Sequence, residues 1–263
     1  NTFEIAHHWW QVMAGHRKPQ SAEYCQPIGP KDGFHFLYLM LCLTPTIALF
    51  GAFTRFAGAH IGSILGLKSR RKCERFAECF SELVYYSISL TVIFRIYWEA
   101  EWFWPSGWNW IVSDGRVQHA KDFEPYSYPA ETKFWHMAEA SYYLGSLIRL
   151  FLTPRKKDFY QMFAHHVITV ILIMLSYFVG YIRVGVVVLV LHGLFDPFLH
   201  GAKCFNYLKW TLIPDITFVS GIFVFAYSRL WLYPQAIWVA LTSPCPAGAT
   251  ICRGQGWDKT PAE

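Results

Sequence analysis

The feature that most constrains this chain is the stretch from Asp158 to Lys203. It consists of two apolar runs, each about twenty residues long, joined by a short turn at Val179, Gly180 and Tyr181. Runs of this length with so few charges are typical of helices that cross a bilayer, whose hydrocarbon core is about 30 Å thick. The stretch therefore predicts a membrane-spanning helical hairpin.

Polar side chains suited to chemistry lie inside both runs. The first run holds His165 and His166, and the second holds His192, Asp196 and His200. If the turn is the midpoint of two antiparallel helices, His165 is predicted at the same depth in the membrane as Asp196. Residues four apart lie on one helix face, so the three polar residues of the second run are predicted to share a face. Ionisable groups inside a membrane are costly when they face lipid. We therefore expect an inward-facing site; the alternative is that these groups only satisfy one another.

A bend is predicted within the second run. Pro197 lacks an amide hydrogen, and its ring crowds the carbonyl group of Gly193, four residues earlier. A glycine relieves part of this crowding, so the polar cluster is expected to lie at a kink.

Composition places the whole chain in the class of polytopic membrane proteins. Of its 263 residues, 54% are hydrophobic, 19% are aromatic and only 16% are charged, whereas soluble domains are about 25% charged. The net charge of +5 comes from short basic blocks between apolar runs. Such blocks are topology signals and do not form a nucleic-acid-binding face, so no nucleic-acid partner is expected.

The basic blocks also predict the topology. Short basic loops stay in the cytoplasm, so the blocks at 68–75 and 155–157 place the N-terminus on the luminal side. An all-α fold with about six spans agrees with every block, and the sixth span is expected to stop at Pro234. The predicted spans are 34–53, 80–98, 134–152, the two arms of the hairpin, and 216–233. The predicted segments outside the core domain are a luminal, interfacial segment at 1–33, a first transmembrane helix at 34–54, a cytosolic basic loop at 55–79 and a C-terminal tail at 236–263.

Two further kinds of site are left open by the residues. Metal ligation by His165, His192, Asp196 and His200 is an alternative to acid–base chemistry, although the repeated histidine boxes of membrane hydroxylases are absent from the sequence. The seven cysteines show no spacing typical of a zinc site, and a Cys245–Cys252 disulfide in an oxidising lumen is an alternative to free thiols.

Several segments together resemble the TLC-domain family, and within it the ceramide synthases that carry the Lag1 motif. The central match is RKKDFYQMFAHHVITVILIMLSYFVGYIRVGVVVLVLH, followed by Asp196 and then by Arg229-Leu230 and Tyr233-Pro234 in the same order. Upstream, ERFAECFSELVYY and AEASYYLGSL are similar to two further segments of the family. The resemblance covers about residues 70 to 235, so we assign a TLC domain to 80–235 and the Lag1 motif to 158–209.

The resemblance implies a function and a site. It implies transfer of a fatty acyl group from acyl-CoA to the amine of a sphingoid base in the endoplasmic reticulum membrane, inside a helical bundle with an internal acyl tunnel. The implied catalytic residues are His165, His166, His192 and Asp196. We expect one histidine of the pair to act as general base or transient acyl acceptor, oriented by Asp196.

Substrate binding is expected at the cytoplasmic mouth. Arg155, Lys156 and Lys157 would meet the phosphates of coenzyme A, or they are topology signals alone. His200 would add a hydrogen-bonding group. The expected partners are acyl-CoA, a sphingoid base and membrane lipid, with no cofactor beyond the co-substrate, and a homo- or heterodimer is left open.

The sequence departs from the family pattern at three places. Gly193 stands where the first aspartate of H-D-x-x-D is expected, and His200 stands in place of the glutamate of L-E-A-A-K. A last hydrophobic span is also expected where the tail at 236–263 lies. The departures favour an alternative, a non-catalytic TLC-domain protein that binds or senses lipid or assists membrane-protein handling. The intramembrane histidines leave a third possibility open, a transporter with a histidine proton relay.

Overall fold

The computed structural model describes residues 25–27, 30–100, 103–110, 127–155, 157–179 and 182–242. The described part is almost entirely helical, as predicted. Its helices, in chain order, are α1 (Pro30–Ile64), α2 (Arg70–Tyr97), a 3-10 helix (Pro105–Trp110), α3 (Ala130–Leu152), α4 (Phe159–Val179), α5 (Ile182–Gly193), α6 (Asp196–Tyr207), α7 (Leu212–Phe225), a π-helical segment (Ala226–Leu232) and α8 (Tyr233–Thr242).

The predicted basic loop at 55–79 is mostly helical. Helix α1 continues to Ile64 and α2 begins at Arg70, so only residues 65–69 connect them, with Gly66 at a φ of 91°. Lys68 therefore lies in this connection, and Arg70, Arg71, Lys72 and Arg75 lie on the exposed first turns of α2. The prediction was wrong because charged residues mark the edge of the apolar span, whereas a helix can continue beyond the membrane.

The two helical arms predicted for the central stretch are confirmed. Helix α4 ends at Val179 and α5 begins at Ile182, and residues 180 and 181 of the predicted turn lie outside the described residues. The second arm is interrupted between Gly193 and Asp196, where α5 ends and α6 begins, at the place where the sequence predicts a bend. The interruption follows from Pro197, the second residue of α6, because it has no amide to donate to the Gly193 carbonyl.

The predicted end of the sixth span at Pro234 was wrong. The chain passes from α7 through the π-helical segment into α8, which continues to Thr242. In the π-helical segment the amide of Tyr233 donates to the carbonyl of Ser228, five residues earlier. This wider turn gives the proline ring room that a regular α-helix lacks, so the helix does not end there.

Five helical stretches of the described residues are long and apolar enough to cross a membrane. They are Phe36–Ile64, Arg70–Tyr97, Phe159–Phe178, Ile182–Tyr207 and Leu212–Ala240. The chain is therefore a multi-pass membrane protein with a helical architecture. The remaining predicted span, the third, at 134–152, is helical as part of α3, but it is too polar to be among the five. The buried polar side chains of α3 include Glu131, His136, Glu139 and Ser141.

The described chain divides into two compact units. The first contains the start of α1, helices α3 and α4 and the start of α5; the second contains the end of α1, most of α2, the end of α5, and α6 and α7. In the first unit Phe36 packs on Tyr177 with ring centroids 4.3 Å apart, and Ser141 donates to the carbonyl of Met40. In the second, Thr54 and Ser81 share a buried hydrogen bond of 2.7 Å.

Two three-residue strands complete the first unit. Strand β1 (Cys25–Pro27) pairs antiparallel with β2 (Ser127–Pro129), and Gln26 lies opposite Tyr128. The pair joins the chain just before α1 to the chain just before α3.

Candidate active site

The histidine pair lies on α4 in the first unit, against a tyrosine of α3. His165 is exposed and His166 is half-buried. The ring centroid of Tyr143 is 6.3 Å from that of His165 and 5.9 Å from that of His166, and the two imidazoles are 5.5 Å apart. Adjacent helical residues point about 100° apart, so Tyr143 fills the angle between the two rings.

His192 lies in the last turn of α5, in the second unit. Its Nδ1 is 2.8 Å from the carbonyl oxygen of Val188, and its ring meets that of Tyr233 edge-on at 4.8 Å. A carbonyl oxygen only accepts, so Nδ1 carries the hydrogen. In the neutral imidazole Nε2 then keeps its lone pair, as a base or hydrogen-bond acceptor requires.

Arg229, on the π-helical segment, joins His192 to the helix break. Its Nη2 donates to the carbonyl oxygen of His192, and its guanidinium lies 5.1 Å from the ring centroid of Phe225 and 5.9 Å from that of Phe195. Its Nε is buried and has no hydrogen-bond partner among the described residues. The guanidinium thus stabilises the last turn of α5, and its Nε–H can still donate to another acceptor.

Asp196 is the first residue of α6, immediately after the break. Arg229, Glu82 and Lys203 are charged groups whose fields act on its carboxyl group. A carboxylate at the first turn of a helix is also stabilised by the amide groups there. Asp196 therefore offers a hydrogen-bond acceptor at the helix break, which suits the predicted role of a site carboxylate.

His200 lies one turn further along α6 and is half-buried. Its ring stacks on that of Tyr86 from α2, with centroids 5.9 Å apart and planes 19° apart. Glu82 and Lys203 act on it electrostatically, as they do on Asp196. Its Nδ1 is buried and finds no partner in the part of the chain that the structure describes.

The predicted site residues therefore fall into two groups. The first unit holds Arg155, Lys157, His165 and His166, and the second holds His192, Asp196 and His200. Lys156 lies outside the described residues, as do Cys245 and Cys252. The depth match of His165 with Asp196 joins residues of different units and stays a prediction. Arg155 and Lys157 are exposed just before α4, and the guanidinium of Arg155 lies 5.1 Å from the ring centroid of Phe159.

Metal-ligating side chains do not gather in the described residues. Within those ranges, no group of three or more histidine, cysteine, aspartate or glutamate side chains is arranged to hold a metal ion.

The arrangement matches a known family. A family model described as the TLC domain matches residues 75–252, more than half of the chain. The chain belongs to the TLC-domain family. The matched range includes both histidines of α4, the α5–α6 break and Arg229, so every described group that forms the candidate site is part of the TLC domain.

Individual relatives of this TLC-domain protein are named as synthases or acyltransferases. Ceramide synthase 4 of Bos taurus is 39% identical over 103 residues, which are 39% of this chain and 26% of the bovine protein. Ceramide synthase 5 of Homo sapiens is 30% identical over 169 residues, 64% of this chain and 40% of the human protein. Sphingosine N-acyltransferase lag1 of Schizosaccharomyces pombe is 35% identical over 125 residues, 47% of this chain and 32% of the yeast protein. The chain spans less than half the length of each of these relatives.

Three residues of the site were not among the predicted ones: Tyr143, Arg229 and Glu82. Each lies within a segment that carries the family resemblance, AEASYYLGSL, Arg229-Leu230 and ERFAECFSELVYY respectively. The resemblance therefore marked the segments, but it did not show which side chain in each segment reaches a site histidine or aspartate.

Proposed function

We propose that this TLC-domain protein is a sphingoid-base N-acyltransferase that uses fatty acyl-CoA and works in the endoplasmic reticulum membrane. The observation that carries the proposal is the family match over 75–252, which contains every proposed catalytic residue, together with relatives named ceramide synthase and sphingosine N-acyltransferase. A multi-pass helical protein suits substrates with long apolar chains.

The proposed reaction forms an amide from a thioester and a primary amine. The amine nitrogen attacks the thioester carbonyl carbon, the C–N bond forms, and the C–S bond breaks to release the coenzyme A thiolate. A histidine of the pair His165–His166 removes the proton that the amine loses and returns one to the thiolate. In the second version of this step, its imidazole first takes the acyl group from the thioester, and the amine then displaces the imidazole.

The remaining residues are assigned supporting roles. His192 and Asp196 supply a base lone pair and a carboxylate at the helix break, and His200 contributes a hydrogen-bonding group. Arg155, Lys156 and Lys157 are proposed to attract the phosphates of coenzyme A. The thioester is already activated, so the proposed reaction needs no metal ion or organic cofactor.

A second candidate function is lipid binding without catalysis. It is favoured by Gly193, which leaves the TLC-domain site one carboxylate short of the family pattern in the α5–α6 segment, and by His200 in place of a glutamate. The two functions predict the same fold and differ in product formation.

The deciding experiment measures ceramide formed from a labelled sphingoid base and a panel of acyl-CoAs in membranes that lack endogenous synthases. We expect product from the unaltered chain and at least about a hundredfold loss of rate in Asp196→Ala and in at least one of His165→Ala and His166→Ala, the scale of losing a general base or its partner. The matched control is His60→Ala, an exposed histidine of α1, which should keep its rate.

Two results would reject the proposal. One is no product from a chain that is expressed and inserted. The other is a rate of ceramide formation that is the same in all three site variants as in the unaltered chain. Product from Gly193→Asp alone would favour the lipid-binding function for the natural sequence.

A further inference from the structure

Helix α3 is fixed to α1 by one of its faces in the first unit. The hydroxyl oxygen of Ser141 lies 3.1 Å from the carbonyl oxygen of Met40, to which it donates. A Cβ atom added to Gly145 would lie 3.7 Å from Cγ2 of Thr44. Ser141 and Gly145 are four residues apart, so they share one face of α3. This face packs on α1 over at least one helical turn.

Tyr143 lies on the opposite face of α3, toward α4. It is two residues from both Ser141 and Gly145, and residues two apart on a helix point about 200° apart, which is to opposite sides. Its side chain is buried, and its ring contacts the imidazoles of both His165 and His166. Because the other face of α3 is fixed to α1, this ring is a firmly held neighbour of the histidine pair.

The two imidazoles meet the ring of Tyr143 at different angles. The plane of His165 is 76° from that of Tyr143, an edge-to-face contact, and the plane of His166 is 51° from it. The planes of the two imidazoles are 55° apart. Aromatic rings at such distances favour edge-to-face and offset arrangements. Each histidine of the pair therefore has its own direction, and the two groups are not equivalent.

Exposure separates the two histidines further. His165 is exposed and His166 is half-buried. An imidazole changes direction by rotation between side-chain rotamers, and the ring of Tyr143 fills the space between the two into which either could turn. The ring thus confines His166 on the side of α3 and leaves His165 directed outward.

We propose that Tyr143 is a positioning residue that keeps the two imidazoles apart and makes His165 the accessible member of the pair. This rests on the proposed function only in taking an imidazole of the pair as the reacting group. The contacts that carry the role are those of the ring. Phenylalanine should therefore replace Tyr143, whereas leucine should not, because its smaller side chain would not fill the space between the imidazoles.

The test is carbethoxylation of histidines by diethyl pyrocarbonate in the full chain in lipid nanodiscs, with the rate at each histidine followed by mass spectrometry. We expect His165 of the unaltered protein to react faster than His166. Tyr143→Leu should raise the rate at His166 by about fivefold, the scale of losing one aromatic contact, and Tyr143→Phe should keep the rates of the parent.

Tyr177→Leu is the matched control. Tyr177 is a buried tyrosine of α4 in the same unit, and its ring packs on Phe36. Its loss should leave the rate at His166 unchanged. An equal increase at His166 in Tyr143→Leu and Tyr177→Leu would overturn the proposal, because it would reflect a general loosening of the unit. Equal rates at His165 and His166 in the unaltered protein would also overturn it, and that result needs no variant to fold.

The kinetics of ceramide formation separate this proposal from the proposed function. Tyr143→Leu should lower kcat by about tenfold or more, as expected for a misplaced reacting group, with the KM of both substrates near that of the parent. Tyr143→Phe should recover kcat. A Tyr143-dependent rate at His166 in a chain that makes no ceramide supports the positioning role and rejects the acyltransferase. Ceramide formation at the parent kcat in Tyr143→Leu rejects the positioning role and leaves the acyltransferase standing.

Discussion

At the scale of single residues, Arg229 shows how a membrane-spanning helix can hold a cation. It lies about three turns or more from either end of the span Leu212–Ala240. A guanidinium facing lipid there would be costly. Here a backbone carbonyl, two aromatic faces and the field of Asp196 surround it. The hydrogen bond to the His192 carbonyl also fixes a residue of the candidate site.

Replacing Arg229 should therefore cost stability as well as activity. We expect Arg229→Met to lower the free energy of unfolding by about 2–4 kcal/mol, because it leaves Asp196 and the His192 carbonyl without their cation. Chemical unfolding in detergent, followed by tryptophan fluorescence, measures this. Arg70→Met is the control: the Arg70 side chain is 93% exposed and pairs with Glu74, so little change is expected. Equal effects of the two substitutions would contradict this account of Arg229.

Gly185 allows α5 to approach Ser176 of α4 closely in the first unit. A Cβ atom there would lie 2.6 Å from Oγ of Ser176 and 3.0 Å from Nε2 of His136, which are themselves 3.1 Å apart. We expect Gly185→Ala to lower the unfolding free energy by about 1–3 kcal/mol through overpacking. Gly145→Ala is the matched control, since its nearest neighbour would be 3.7 Å away. It should be neutral or gain up to about 1 kcal/mol of helix propensity; a loss as large as that of Gly185→Ala would argue against the overpacking explanation.

The predicted site residues of the second arm follow from a local sequence pattern. His192, Asp196 and His200 are spaced by fours, so a period of 3.6 residues brings them to one side of the chain. Arg229 reaches His192 from 37 residues away, and Glu82 comes from α2, which is separated from α6 along the chain by α3, α4 and α5. No local pattern encodes contacts of that kind, because they depend on how whole helices pack.

At the scale of elements, the break between α5 and α6 gives the site its acceptor groups. Pro197 removes one backbone donor, and Arg229 supplies a side-chain donor to the neighbouring carbonyl of His192. We expect Pro197→Ala to restore the amide that pairs with Gly193 and to make 182–207 one continuous helix. Hydrogen exchange should slow in a peptide covering 190–200. Ceramide formation should fall by about tenfold or more, because the Asp196 carboxylate would turn away from the candidate site.

Pro214→Ala is the control for this prediction. Pro214 is the third residue of α7, where an amide has no partner within the helix, so its exchange and activity should stay as in the parent. If exchange at 190–200 is unchanged in Pro197→Ala, the proline is not the cause of the break.

The two prolines that interrupt long helices show what sequence can predict of an element. The effect of Pro197 was predictable because a missing amide and a nearby glycine act locally. The effect of Pro234 was not, since a one-residue widening of the preceding turn accommodates it. Whether a chain ends its helix or inserts such a turn depends on tertiary contacts, here those of Arg229 and Tyr233 with His192.

At the scale of the whole molecule, composition and basic blocks predicted a multi-pass helical protein, and five helices confirm it. The sequence analysis predicted an apolar span within α3 and did not recognise how polar this helix is. Buried polar residues such as His136 and Glu139 cannot be distinguished from exposed ones in a sequence. The direction in which each span crosses the membrane stays a prediction.

That direction can be tested at the short connection between α1 and α2. Gly66 has open space around it, so an epitope tag inserted after it should leave the fold intact. We expect antibody to reach this tag in cells whose plasma membrane alone is permeabilised, because the adjoining basic residues keep the loop in the cytoplasm. A tag between Val179 and Ile182 should be reached only after the internal membranes are opened. The reverse pattern would invert the predicted topology.

The short β1–β2 pair has a consequence for the order of events during synthesis. Its strands lie about a hundred residues apart along the chain, with α1 and α2 between them. At roughly 5–20 residues per second, the ribosome makes β2 about 5–20 seconds after β1. The N-terminal strand must therefore wait, with its backbone donors open to other partners, until two membrane helices have been delivered to the bilayer.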